Sequence, residues 1–169
     1  PNIDFDENYD EKKEYVFSGK KGLSNIMTYE ENNRSNVPYR SNFEYKDSYV
    51  KKYGRIFSKD LIGKYSCKIE SIVNNIESSD GLSLVYSQYI DGGIVPMVLA
   101  LEEMGYTRYG DVKSLYSDTY KRKLGIKNNG KKYIMITGDK YFSPNKNDEI
   151  KAITDDKNSN GSVIKVVFI

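Results

Sequence analysis

The chain has 169 residues, of which 26 are Lys or Arg and 24 Asp or Glu, so a net charge of only +2 provides no global field for a nucleic-acid or membrane partner. With one cysteine, Cys67, and no histidine, a disulfide framework and zinc-finger ligand sets are excluded, and a reducing compartment fits best. No apolar run reaches the roughly 18 residues of a membrane span, and the length suits one domain with a real core.

From Pro1 to about Asn42 the sequence is polar and tyrosine-dotted, with scattered large aliphatics and no sustained period. This predicts an arm, with residues 1–57 as a whole forming an N-terminal arm or inter-domain region and one helical turn within Gly22–Tyr29 docking on the body. The domain proper is expected over 58–169. There Ile62, Tyr65, Ile69, Ile72, Val73 and Ile76 recur at three- and four-residue spacing, which predicts a helix over 58–76 capped by Ser58 or Asp60. The cluster from Glu77 to Gly81 ends it.

Leu82, Leu84, Val85 and Tyr86 then form a short apolar run ending at Ser87, the pattern of a parallel strand covered on both faces. Asp91, Gly92 and Gly93 break it. A nearly continuous apolar helix follows from Ile94 to Met104, with Pro96 in its first turn and Gly105 as a left-handed stop. The polar stretch that comes next, with the turn Asn128–Gly130, is expected to be a surface insertion over 106–132.

Tyr133–Ile136 makes a second apolar strand, stopped by Thr137, Gly138 and Asp139. Ser143 and Pro144 supply a cap and a first-turn proline for a helix to about Asp155, with Ile150 and Ile153 facing inward. Asn158–Gly161 is a turn, and VIKVVFI (Val163–Ile169) carries the strongest strand signal. An exposed strand at a chain end invites aggregation, so this run is expected either to be an interior strand or, in preference, to end a piece of a longer protein. The expected class is α/β: a parallel sheet with flanking helices, preceded by an irregular polar N-terminal arm.

A strand followed by a glycine turn and a helix is where open α/β sheets bind ligands, because the helix start offers amides and partial positive charge. Other nucleotide-like fragments fail. SGKKG at Ser18 and IGKYS at Ile62 lack the upstream glycine, the following Ser/Thr and the preceding strand of a phosphate loop. DENYD and NDEI lack the apolar strand that precedes a magnesium-holding acidic box. Cys67 has no histidine to activate it and is expected to pack on the apolar helix face.

The run LSLVYSQYIDGGIVPMVLALEEMGYTRYG, followed by KKYIMITGD and a helix leading to IKVVFI, resembles the second RecA-like domain of superfamily 2 helicases, in particular Swi/Snf-type helicases of large nucleocytoplasmic DNA viruses. VYSQYIDGG is similar to helicase motif IV, YIMITGD takes the place of the next core strand, and IKVVFI that of the strand leading into motif V. The likeness covers Tyr65 to Ile169; upstream, NIMTYEE, YGRIFS and KYSCKIESIVNNI resemble the region between the two RecA-like domains. Motifs V and VI and the first domain with its phosphate loop are not in these residues, and 106–132 separates strands that most members join closely.

The resemblance implies a partial RecA-like domain of a viral helicase or translocase, acting in transcription or genome handling in the host cytoplasm or virion. It implies ATP and Mg2+ as cofactors of the full-length parent, bound between two RecA-like domains and not by this piece alone. It implies the DNA or RNA backbone as partner, with RNA polymerase or other transcription machinery as a further one. Motif IV contacts the backbone, so Ser87, Gln88, Gly92 and Gly93 are the nucleic-acid-binding candidates, with Thr137 and Gly138 next; catalytic and metal residues are not assigned. A turn or cap role is the alternative for each. At the level of the whole chain, the alternatives are a non-enzymatic module binding a polymerase or other protein, and a small-molecule-binding α/β domain.

Overall fold

The computed structural model describes residues 19–32, 39–139, 141–143 and 146–169; the expected arm over 1–18 and Pro144 lie outside them. Gly22, Leu23 and Ile26 form the buried face of helix α1 (Gly19–Ile26), as their spacing requires. The chain then makes an antiparallel hairpin of β1 (Met27–Asn32) and β2 (Tyr39–Tyr45), with Met27 opposite Tyr45 and a bulge between Thr28 and Glu30. Met27, Phe43 and Tyr45 are buried, and Tyr29 stacks on Phe43 with ring centres 4.8 Å apart. The body of the domain thus takes in residues 19–32 and 39–45 as well, and one hydrophobic core runs from Leu23 to Phe168 across the expected boundary at residues 57 and 58.

After α2 (Asp47–Tyr53), the single helix expected over 58–76 is two, α3 (Ile62–Tyr65) and α4 (Cys67–Ser78). Ser66 divides them. Its backbone is extended, and its hydroxyl accepts a hydrogen bond from the Ile69 amide at 3.2 Å, so the cap that starts α4 sits inside the apolar repeat. Ile69, Val73 and Ile76 still face the core. Cys67, at the first position of α4, is exposed, which corrects its expected burial.

Four strands, β3 (Ser83–Val85), β4 (Thr107–Arg108), β5 (Lys132–Met135) and β6 (Val166–Phe168), form one sheet in the order β3–β6–β5–β4, with every pairing parallel. The three apolar runs of the sequence are therefore parallel neighbours. Between β3 and β4 the chain passes through a π-helical turn (Ile90–Ile94) into α5 (Val95–Glu103), which is buried almost all round and ends at Gly105 with φ +94°. On the opposite face, Ile134, Ile164 and Val167 are packed by Ala152 and Ile153 of α7 (Lys146–Thr154). Ile153 faces inward as expected, whereas Ile150 is exposed and Glu149 is buried.

The segment 106–132 is not a surface insertion. Tyr106, Leu115, Tyr116 and Tyr120 belong to the core, and Thr107–Arg108 supplies the fourth strand. Glu102 on α5 is fully buried and accepts hydrogen bonds from the amides of Leu115 and Tyr116, both at 2.8 Å, and from the Tyr133 hydroxyl. Lys121 of α6 (Asp118–Lys123) lies 3.2 Å from the same carboxylate. Its neighbour Glu103 accepts from Tyr45 Oη at 2.5 Å and faces Arg55 at 3.4 Å; burial raises its carboxyl above the ordinary range despite these partners.

The β3 side is built differently. Leu82, Leu84 and Tyr86 are 38, 67 and 75% exposed, so the expectation of a strand covered on both faces fails there. Leu84 stands in register with Val167 and Ile134, on rows that α7 packs only over β5 and β6.

Candidate functional site

Val85, Phe168 and Met135 are aligned across the three strands, so the chain leaves β3 and β5 at the same carboxyl edge with β6 between them. All six sequence candidates lie along this edge, in two groups. Ser87 donates its amide to Ile169 O at 2.9 Å, and its hydroxyl closes a tight turn with Tyr89 N and O at 3.2 and 3.1 Å. Gln88 is exposed. Gly92 and Gly93 lie inside the π-helical turn, so the helix begins at Ile90 rather than at Ile94.

The two glycines permit close packing. A Cβ on Gly93 would sit 2.3 Å from Ser87 Oγ, and one on Gly92 would lie 3.4 Å from the Gly19 backbone nitrogen at the start of α1. In the second group, the Thr137 amide donates to Ser143 Oγ at 2.6 Å and its hydroxyl meets the Asp139 backbone, while Gly138 is exposed. Ser143 donates in turn to Met135 O, so it ties the end of β5; its expected role as a cap adjoins residues 144 and 145, outside the described ones. Ser87 and Thr137 thus hold turns together with their side chains, and Gln88 is the candidate whose side chain is left to meet a ligand.

The residue that joins the two groups is Arg40 on β2, which sequence reading did not single out. Its guanidinium lies 2.8 Å from Asp91 in the turn after β3, 3.9 Å from Asp139 in the turn after β5 and 2.7 Å from Glu31 on β1, and it stands over the Phe142 ring at 5.0 Å. Lys20 completes the group, 2.8 Å from Glu31; its hydrogen bond holds that carboxyl below the ordinary range. The available signal was the alternation of Ser41, Phe43 and Tyr45 with polar residues, which marks a half-buried strand. Nothing in it announces a buried arginine. Among the described residues, this cluster joins three carboxylates to two cations.

Beside Ser87, Gly92 and Gly93 opens a cavity of about 520 Å³, walled by apolar side chains of α1, α3, α4 and α5, with Lys68, Tyr86 and Tyr89 also lining it. That volume lies within the rough 300–1,000 Å³ range of ligand pockets. Among the described residues, no group of three or more Cys, Asp or Glu side chains is arranged to hold a metal ion, and no chemical step is assigned to them. No family model matches the chain, and no curated protein or solved structure matches it either. Fold and site together define an α/β domain with a parallel sheet whose carboxyl edge combines a helix entrance, an internal ion cluster and an adjoining apolar cavity.

Proposed function

We propose that the chain is part of an ATP-dependent superfamily 2 helicase or translocase, contributing a stretch of the nucleic-acid track and the moving half of the motor. The observation that supports this reading is the placement of Ser87, Gln88, Gly92 and Gly93 with Thr137 and Gly138 along one carboxyl edge of a parallel sheet, beside a helix entrance. Gln88 and the amides near Gly92 and Gly93 would contact DNA or RNA phosphates without reading bases. ATP and Mg2+ would act in the parent protein, whose nucleotide cycle shifts the population between open and closed domain arrangements. Viral transcription or genome handling, in the host cytoplasm or virion and alongside RNA polymerase, is the setting that the sequence resemblance favours.

The test is binding of fluorescent oligothymidylate and of a mixed-sequence strand across a salt series. Weak binding is expected that falls as salt rises, is equal for both strands and is weakened by Gln88→Ala. Binding that ignores salt, or that Gln88→Ala leaves unchanged at low salt, refutes the assignment. Gln88→Ala is a cleaner probe than a Gly93 substitution, which would displace Ser87. A second reading, a non-enzymatic module for a polymerase or other protein, is favoured by the three carboxylates around Arg40, since excess negative charge disfavours a polyanion.

A further inference from the structure

Residues 121–132 hold six of the chain's 26 cations and none of its 24 carboxylates, so the remainder of the chain is net acidic. They run from the end of α6 to the first residue of β5, at the amino edge of the sheet, where Thr107 N bonds Lys131 O at 3.1 Å. The connection is pinned by its backbone. Gly125 N and Ile126 N bond back to Arg122 O and Lys121 O at 3.0 and 2.9 Å, and Asn129 bonds Gly105 O and Met104 O at the end of α5 at 3.0 and 2.9 Å. Lys127 O packs so close to Gly105 that a Cβ there would lie 2.1 Å away. Two of the cations are engaged internally, Lys121 with Glu102 and Lys131 with Glu77. Arg122, Lys123, Lys127 and Lys132 are exposed, and no carboxylate among the described residues lies within ion-pair distance of them. A helix C-terminus accounts for cations in the last turn of α6, but Lys127 and Lys132 lie beyond it. Gly19 and Ile169 lie at the carboxyl edge, so chain leading to the one or from the other starts across the sheet from this segment.

We propose that this basic connection binds the phosphate backbone of a nucleic acid, as a contact surface separate from the carboxyl edge. Cations without a carboxylate partner, carried on a fixed backbone, release counterions from a polyanion and lose little conformational freedom in doing so. The class of occupant follows from what the surface lacks. Leu124 and Ile126 are partly buried and no large apolar side chain of the segment is exposed. It therefore has neither the apolar face with which a protein enters a membrane interface nor the apolar centre of a stable protein interface. Phosphates need only charge and simple donors, which Lys and Arg supply without reading bases. The carboxyl edge, where three carboxylates surround Arg40, has the opposite balance. The proposal stands whether or not Gln88 contacts phosphate.

The test is binding of a short fluorescent DNA duplex of mixed sequence to the whole 169-residue chain, followed by anisotropy across a salt series. The combined change Arg122→Ala, Lys123→Ala and Lys127→Ala is expected to weaken binding at least about tenfold at low salt. It should also make the plot of log affinity against log salt shallower by about 2 to 3, near ~0.9 for each cation removed. Lys127→Glu alone, on the exposed connection, should act in the same direction, whereas Lys123→Arg with Lys127→Arg should bind as the parent does. As a control, Lys64→Ala, Lys151→Ala and Lys157→Ala together remove the same formal charge from exposed positions on α3, on α7 and in the turn after it, and should stay within about twofold of the parent. Gln88→Ala changes no charge and leaves the salt slope as it is, so its effect on affinity reports on the carboxyl edge alone. Four results would overturn the proposal: no binding by the parent at low salt, equal weakening by the two triple variants, an unchanged salt slope without Arg122, Lys123 and Lys127, or displacement of the duplex by polyglutamate as readily as by unlabelled duplex.

Discussion

The two edges of the sheet solve the same problem in opposite ways. At β4 the outward amide of Arg108 is taken by Ser114 Oγ at 3.2 Å, and the Arg108 guanidinium is buried against Phe142 O and Glu149. The loop carrying Leu115 and Tyr116 is held down by Glu102. At β3 the outward groups of Leu84 and Tyr86 are met by no described residue, and the side chains lie open. The difference teaches that closing an edge takes dedicated sequence. Residues 106–132 look like a polar insertion because most of their polar side chains, such as Asp111, Asp118, Arg122 and Asn128, do face water, while Tyr106, Leu115, Tyr116 and Tyr120 pack inward.

The largest effect that can break this comparison lies at Glu102. Glu102→Leu leaves the Lys121 ammonium, two amides and the Tyr133 hydroxyl without their shared acceptor, and should cost roughly 3–5 kcal/mol of unfolding free energy in a urea titration. A loss below about 1 kcal/mol would mean that the β4 edge does not depend on this carboxylate.

An intermediate effect concerns pH. The folded state raises Glu103 by burial, so it binds that proton more tightly than the unfolded chain does. Stability should fall as pH climbs from the ordinary value near 4.5 through the raised folded value, and Glu103→Gln should flatten that fall. Glu149, raised in the same way beside Arg108, acts in the same direction. Glu77 has the opposite sign. Burial raises it, but hydrogen bonds from Tyr106 and Lys131 bring it below the ordinary range, so its contribution is lost only at lower pH. A Glu103→Gln variant with the parent's pH profile would contradict the burial argument.

The smallest effect belongs to the open edge. Leu84 is 67% exposed, so Leu84→Lys should change stability by no more than about 0.5 kcal/mol. A substantial loss would show that this face is already covered.

How far the sequence announces this structure depends on whether a residue's role is local. The strands at Ser83–Val85, Lys132–Met135 and Val166–Phe168 follow from β-branched and apolar runs, and α5 from its continuous hydrophobicity. Strand β4 has only Thr107 and Arg108, and Arg108 is buried solely because Glu149 and Phe142 O meet it from elsewhere in the chain. The break at Ser66 hides within an apolar repeat that both helices share. At the site, the carboxyl-edge positions of Ser87 and Thr137 were legible from where strands stop. Arg40 was not, since three distant carboxylates and an aromatic ring license its burial.

The strand order has a consequence for synthesis. Ser83 finds its partner in Val166, and among the described residues β6 is the only strand that β3 pairs with. While the chain is being made, β4 and β5 can associate early because their pairing spans a short stretch, but β3 must wait for β6, about 80 residues further along, to emerge. Until then both backbone edges of β3 are unpaired, which leaves it open to capture by a holdase or to mispairing with another nascent chain. Emergence of β6 closes the inner edge of β3, and slowing translation just ahead of Val166 would lengthen the interval in which both edges are open.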